Sequence, residues 1–323
     1  MLFLNACKLL AITKTMKIHQ LRDFIAIAKE GGIRAAARHL DLAQPSLSKS
    51  VNALEIELGT PLFERTGTGS ILNSYGEALL VRAEHVMTQI ERARDEIHQL
   101  KGGRGGHVNF GASGTPSLLF VPGALQRFRQ RFSDAQVRIV EGAHSISIAG
   151  LRDGSLDFSM VPEPIKPLGA EFSVERVFES TRSVVGRRGH PLAKAKSLGD
   201  LATATWLLTG AAGPKRMELD SAFTSNGFAP PAANVQCESL IGLLSLLAST
   251  DLLALLPHQW VETPITAGVL AEIVVREKVS APAICLIKRE GLPLTPAAEA
   301  MADSLRTEAA SYALKAPAVT LSR

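Results

Sequence analysis

The residues best placed for chemistry stand together at Gln44, Pro45, Ser46, Ser48, Lys49 and Asn52, within the stretch AQPSLSKSVNALEIELG. Gln and Asn can each pair bidentately with adenine, Ser is a short donor or acceptor, and Lys reaches a guanine edge or a phosphate. This is the chemistry of reading a base edge. The spacing predicts a helix: at about 100° per residue, Leu47, Val51, Leu54 and Leu58 fall within roughly one 60° sector, with Pro45, Ser48, Lys49 and Asn52 opposite. Pro45 suits the first helical turn, where its missing N–H is no loss. A solvated helix face would look the same in isolation. Charge does not separate the two readings, since residues 17–75 hold seven Lys/Arg against six Asp/Glu. The surroundings must decide.

Upstream, Leu21, Phe24, Ile25 and Ala28 recur at i, i+3, i+4 and i+7, and Gly31-Gly32 ends the pattern as a helix stop. IRAAARHLDL offers a second, alanine-rich helix broken at Asp41. Downstream, Leu62-Phe63 and Ile71-Leu72 flank the glycine-rich turn RTGTGS, as in a small β-hairpin with Arg65 near its base. Helix, turn, helix and wing thus follow one another over residues 16–75.

In this respect the chain resembles the LysR-type transcriptional regulators. Their A-A-R-x-L is met by Ala36-Ala37-Arg38-His39-Leu40, their Q-P-S-L-S by Gln44 to Ser48, and their L-E-x-x-L-G-x-x-L-F-x-R by Leu54 to Arg65. The resemblance implies that Gln44, Pro45, Ser46, Ser48 and Lys49 face double-stranded promoter DNA, with Arg34 and Arg65 near backbone phosphates. The chain departs from the family pattern at Thr68, where a second basic residue is usual, and in Asn73-Ser74-Tyr75-Gly76.

Over 76–100, Leu79, Ala83, Val86, Ile90, Ala93, Ile97 and Leu100 alternate steps of four and three, the seam of a dimerising coiled coil. An intramolecular core helix would carry a similar stripe. KGGRGG at 101–106 places four glycines in six residues and reads as a hinge. No Gly-Lys-Ser/Thr follows to make it a phosphate loop.

Beyond the hinge, short apolar strands alternate with helices, an α/β pattern with a largely parallel sheet. The expected fold class is an all-α N-terminal part joined to two α/β subdomains of periplasmic-binding-protein type. Residues 107–164 and 275–311 form subdomain I, 165–274 form subdomain II, and 312–323 a flexible tail. GLRDGSLDF, GHPLA and LTPAA match the same family. Ligands in open α/β sheets settle at the carboxyl ends of strands beside helix N-termini. Ser113, Gly114 and Thr115, then His144, Ser145 and Ile146, and from the other half Thr209 and Gly210 stand at such ends. Ordinary N-capping is the alternative reading of each. In the family these places bind a small-molecule effector; an anion such as an aromatic acid or sulfonate fits, with Phe120, Ile146 and Phe158 as candidate walls for a ring.

Catalysis finds little support. There is no G-x-S-x-G elbow, H-E-x-x-H pair or Rossmann fingerprint after a strand, and the eight His do not cluster. No metal-ligand spacing joins Cys7, Cys237 and Cys285, which suits a reduced, cytoplasmic chain without a cofactor. Residues 1–15 are expected to be a dispensable extension, and no segment is a convincing membrane span. The expectation is a homotetrameric LysR-type regulator controlled by an effector, with RNA polymerase as a further partner. The competing reading is a solute-binding protein fused to a helical oligomerisation module, with no DNA role.

Overall fold

The computed structural model describes residues 16–66, 69–142, 144–179, 181–209 and 212–315. The expected extension at 1–15, Thr68 and Gly210 lie outside these residues. The chain divides into two compact units, the first ending at Ile97 but including Asp153–Ser155, the second beginning at His98.

The first unit begins with α1 (Ile18–Glu30), α2 (Ile33–His39) and α3 (Gln44–Leu58). β1 (Phe63–Thr66) and β2 (Gly69–Leu72) pair antiparallel as the expected hairpin, Phe63 opposite Leu72. Leu21, Phe24, Ile27, Ala36, Leu47, Val51, Leu54 and Leu62 make the core. Each fully buried Leu or Phe contributes about 2 kcal/mol, so three short helices suffice only because they share one interior. Leu58 is a correction: expected inside with Leu54, it is 38% exposed. The helix stops at Gly59, Thr60 N–H bonds back to Glu55 O, and the returning chain brings in Leu62 to fill the core in its place.

α4 (Ser74–Leu100) is a single helix of 27 residues. Ala83 is buried in the first unit's core, whereas Val86, Ile97 and Leu100 are 43%, 55% and 68% exposed. Within one chain the seam therefore has its apolar side open from Val86 onward.

The second unit holds two sheets. The first contains β3 (His107–Ala112), β4 (Gln136–Glu141), β5 (Phe158–Pro162), β6 (Phe172–Phe178) and β13 (Ile284–Arg289), in the order β4-β3-β5-β13-β6. Short α5 (Gly114–Leu119), α6 (Val121–Arg131) and α10 (Pro296–Lys315) cover one face over Phe110, Phe120, Phe128, Phe158 and Leu305. α7 (His144–Arg152) covers the other over Leu151, Cys285 and Ile287. Burial and the neighbouring Glu163 carboxylate push the Cys285 thiol up to about 11, so it packs as a small apolar group.

The second sheet is centred on β7 (Thr181–Arg187), flanked by β10 (Ala254–Pro257), β11 (Leu270–Ile273) and β12 (Val279–Ser280), all antiparallel to it. β8 (Leu207–Thr209) and β9 (Val235–Cys237) form a parallel pair alongside. α8 (Ala212–Thr224) and α9 (Leu240–Ser249) pack on this subdomain's two apolar clusters.

Four expectations change here. Residues 172–178 belong to the first sheet, because β13 returns antiparallel and pairs β6 as well as β5. Residues 275–280 belong to the second, where β12 joins β7. The second sheet is mainly antiparallel, since the chain passes through β7 on entry and β12 on exit. Residues 312–315, expected in a flexible tail, belong to α10, which runs to Lys315, and Tyr312 meets the Phe120 ring edge-on at 5.7 Å.

The glycine segment 101–106 is less free than a hinge. Arg104 donates to Arg131 O and Gln130 O at the end of α6, and Gln99 donates to Gly105 O while accepting from Ala297 N–H at the start of α10. These bonds fasten the segment to the second unit.

Candidate DNA-reading helix and effector site

α3 is presented by a tight turn. Asp41 adopts a left-handed conformation (φ 52°), and Leu42 N–H returns to Ala37 O at 2.9 Å. Asp tolerates this region better than most residues, which explains why α2 ends there. No side chain caps α3, whose N-cap is Ala43. Gln44, Pro45, Ser46, Lys49 and Asn52 are exposed and Ser48 is half-buried, on the side away from Leu47 and Leu54. Arg34 is exposed on α2, and neither it nor Lys49 has an ion-pair partner among the described residues. Arg65 pairs through its backbone with Ser70; its side chain lies outside the description. An exposed helix start without a side-chain cap, accompanied by cations unpaired among the described residues, can receive phosphate and present side-chain donors to a groove.

In the second unit, Ser113 and His144 stand just past the ends of the neighbouring parallel strands β3 and β4. Ser113 occupies the N-cap position of α5 yet makes no capping bond. Its Oγ, that of Ser117 and Nδ1 of His144 are shut off from solvent with no hydrogen-bond partner. By contrast, Ser239 at the start of α9 caps normally, accepting from Gly242 N–H at 3.2 Å. Burial lowers the pKa of His144, so its ring is neutral near pH 7 and can donate or accept a hydrogen bond. Ser145 and Ile146 are exposed.

Gly114 and Thr115 do something else. The Trp260 indole N–H donates to Thr115 Oγ1 at 3.2 Å, and a Cβ on Gly114 would lie 3.1 Å from the same ring. Trp260 follows β10 of the second sheet; the Thr266 hydroxyl donates to its backbone carbonyl and is itself bonded to the Thr263 hydroxyl at 2.7 Å. The two subdomains are thus joined at α5. Phe120 and Phe158 do not wall a ring pocket: both are fully buried, Phe158 stacked on Phe110 at 5.1 Å and Phe120 edge-on to Phe178 at 5.2 Å. Phe158 in β5 and Phe120 between α5 and α6 both pack into the core that α6 and α10 cover.

Thr209 ends β8 and lines a small cavity with Trp206, Lys215, Glu218 and Leu255. Beside it, Glu218 accepts from Arg182 Nε and, at 2.7 Å, from Lys215 Nζ. Burial alone would raise the Glu218 pKa, but the two cations outweigh it and hold the carboxyl below its ordinary value. Burial first, and then the Arg182 charge, lower that of Lys215. Lys215 and Glu218 are an i,i+3 pair on α8, but Arg182 and Trp260 reach their partners only through tertiary packing, so the cluster escaped the sequence reading.

A family model described as "LysR substrate binding domain" matches residues 101–310, and "Bacterial regulatory helix-turn-helix protein, lysR family" matches 18–77. The chain belongs to the LysR family. This LysR-family protein is a DNA-binding transcriptional regulator with an effector-binding domain. The reading as a solute-binding protein without a DNA role falls, because residues 18–77 are themselves a match to the DNA-binding module. It is 26% identical over 239 residues to the regulator GbpR of Azospirillum brasilense, covering 73% of this chain and 70% of that protein. It is 32% identical over 183 residues to the regulator PcaQ of Agrobacterium fabrum, covering 56% and 58%. The crystal structure of CbnR, a LysR family transcriptional regulator, shares the fold at TM-score 0.66 and 23% identity, over 91% of this chain and 99% of that one. No helix among the described residues is long and apolar enough to cross a membrane.

Proposed function

We propose that this LysR-family regulator binds promoter DNA in the cytoplasm through Gln44, Pro45, Ser46, Ser48, Lys49 and Asn52, with Arg34 and Arg65 on phosphates. Two chains pair along the open α4 seam, two pairs assemble into a tetramer, and RNA polymerase is the partner of the DNA-bound form. The exposure of Val86, Ile97 and Leu100 supports the pairing. Control comes from a small organic acid, carboxylate or sulfonate, bound without catalysis or cofactor at Ser113 and His144 of the first subdomain and Thr209 and Gly210 of the second. Ser145 and Ile146 stand at its open side, and Gly114 and Thr115 hold the Trp260 contact that couples the subdomains.

The observation that carries the effector site is Ser113, an N-cap residue that does not cap. A buried hydroxyl without a partner costs about 1–3 kcal/mol, a cost a bound ligand removes. Binding at both subdomains biases their closure, which alters the spacing of paired reading helices and the bend in DNA. Gel shifts with DNA upstream of the protein's own gene test the first part. Specific retention that disappears in Gln44→Ala and Lys49→Ala is expected; retention unaffected by both overturns the DNA assignment. A thermal-shift screen of small acids, repeated on Ser113→Ala, tests the second.

A further inference from the structure

The charged cluster of the second subdomain carries more than a structural ion pair. Arg182 lies near the start of β7, opposite Pro257, the last residue of β10, and opposite Val279 of β12. β7 is the strand on which the chain enters the second sheet and β12 the one on which it leaves. Lys215 stands in the first turn of α8 and, with Glu218, lines the small cavity at Thr209. The Arg182 side chain is only 8% exposed, yet its sole hydrogen bond among the described residues is from Nε to Glu218. Among the described residues, neither terminal amino group of the guanidinium has a hydrogen-bond partner. Lys215 likewise spends one of three donors, on the other oxygen of the same carboxylate. Two cations thus share one anion, and the surplus is one positive charge with its donors unspent.

We propose that Arg182 and Lys215 form a seat for the carboxylate of a monoanionic effector, with Glu218 setting the surplus to a single charge. An Arg fork matches the two oxygens of a carboxylate, and charge-assisted bonds of this kind are stronger than neutral ones. A neutral amide or sugar gains nothing comparable there. Because a carboxylate favours charged Lys215, whose pKa burial and Arg182 have lowered, affinity falls as pH rises through the Lys215 value while Arg182 stays charged.

This assignment rests on the effector reading above, and the experiment separates the two. Full-length protein is titrated by calorimetry with linear and aromatic monocarboxylates from acetate to benzoate, each paired with its amide. At least one acid is expected to bind while its amide does not. Arg182→Lys keeps the charge but loses the fork, and Arg182→Gln loses both; each should weaken the acid by about tenfold or more, and Lys215→Gln similarly. Glu218→Gln should tighten it, with an unchanged far-ultraviolet circular dichroism spectrum as the check on folding. An acid weakened by Ser113→Ala but indifferent to all four substitutions overturns the seat and leaves the effector site standing. An acid sensitive at Arg182 and Lys215 but not at Ser113 overturns the Ser113 assignment instead. Equal binding of acid and amide, or no binding across the panel, overturns the seat.

Discussion

The reading helix and the effector subdomains present polar groups in opposite ways. On α3 the polar residues are exposed and already solvated, and their positions are fixed by Leu47, Val51 and Leu54 on the other side of the same helix. In the second unit the interesting groups are buried: a hydroxyl that does not cap, an imidazole nitrogen without a partner, an Arg with unspent donors. An exposed reader costs the fold nothing when its partner is absent. A buried one holds the fold in a less stable state until a ligand arrives, which is what a sensor needs. The two halves should therefore answer deletion differently, and substitutions can break or sharpen that contrast.

The largest effect belongs to the scaffold of the reader. Leu54→Ala, at a fully buried position, should destabilise the module by about 3 kcal/mol and take DNA binding with it, as measured by urea denaturation followed by gel shift. Gln44→Ala should leave the unfolding midpoint in place yet lower discrimination between specific and scrambled DNA by about 1–3 kcal/mol. If its stability drops instead, the helix face is structural and the contrast fails.

In the sensor, Trp260→Phe removes the indole donor to Thr115 and should cost about 1 kcal/mol in thermal unfolding. Ser113→Ala should behave in the reverse sense. Deleting an unpartnered buried hydroxyl is expected to leave stability unchanged or raise it by up to about 1 kcal/mol while weakening the effector. A clear loss of stability in calorimetry would restore Ser113 to an ordinary cap. The smallest effect is expected at the wing: Thr68→Arg should tighten DNA binding by a modest factor and steepen the logarithmic salt slope by about 0.9. An unchanged slope argues that the wing makes no phosphate contact.

Legibility divided along the same line. Gln44 to Asn52 and their buried counterparts lie within one helix, so period and composition were enough to place them on opposite faces. Only Leu58 was misplaced, because the period cannot say that the chain turns at Gly59 and brings Leu62 into the core instead. In the effector region, strand pattern revealed FSVERVF as a strand but not its sheet, since alternation has no address; the return of β13 assigned it to the first. Phe120 and Phe158 looked like pocket walls for a similar reason, since the sequence does not say that both pack into the core under α6 and α10. Ser113 and His144 were visible as residues at strand ends, but their lack of partners was not, because a missing hydrogen bond is a property of everything around the group.

By itself, then, the sequence determined the helix-turn-helix with its wing, the long seam, the pairing of two α/β subdomains and the family. Each of these depends on residues that interact across a turn or two of helix or along one strand, where spacing is contact. The tertiary structure alone decided that Trp260 joins the subdomains through Thr115, 145 positions apart in the chain. It also decided that Arg182 and Lys215 share Glu218 and retain a free charge. The Trp260 and Arg182 contacts join segments that chain spacing leaves far apart, and only the packing of the sheets on their helices brings those groups within hydrogen-bond reach.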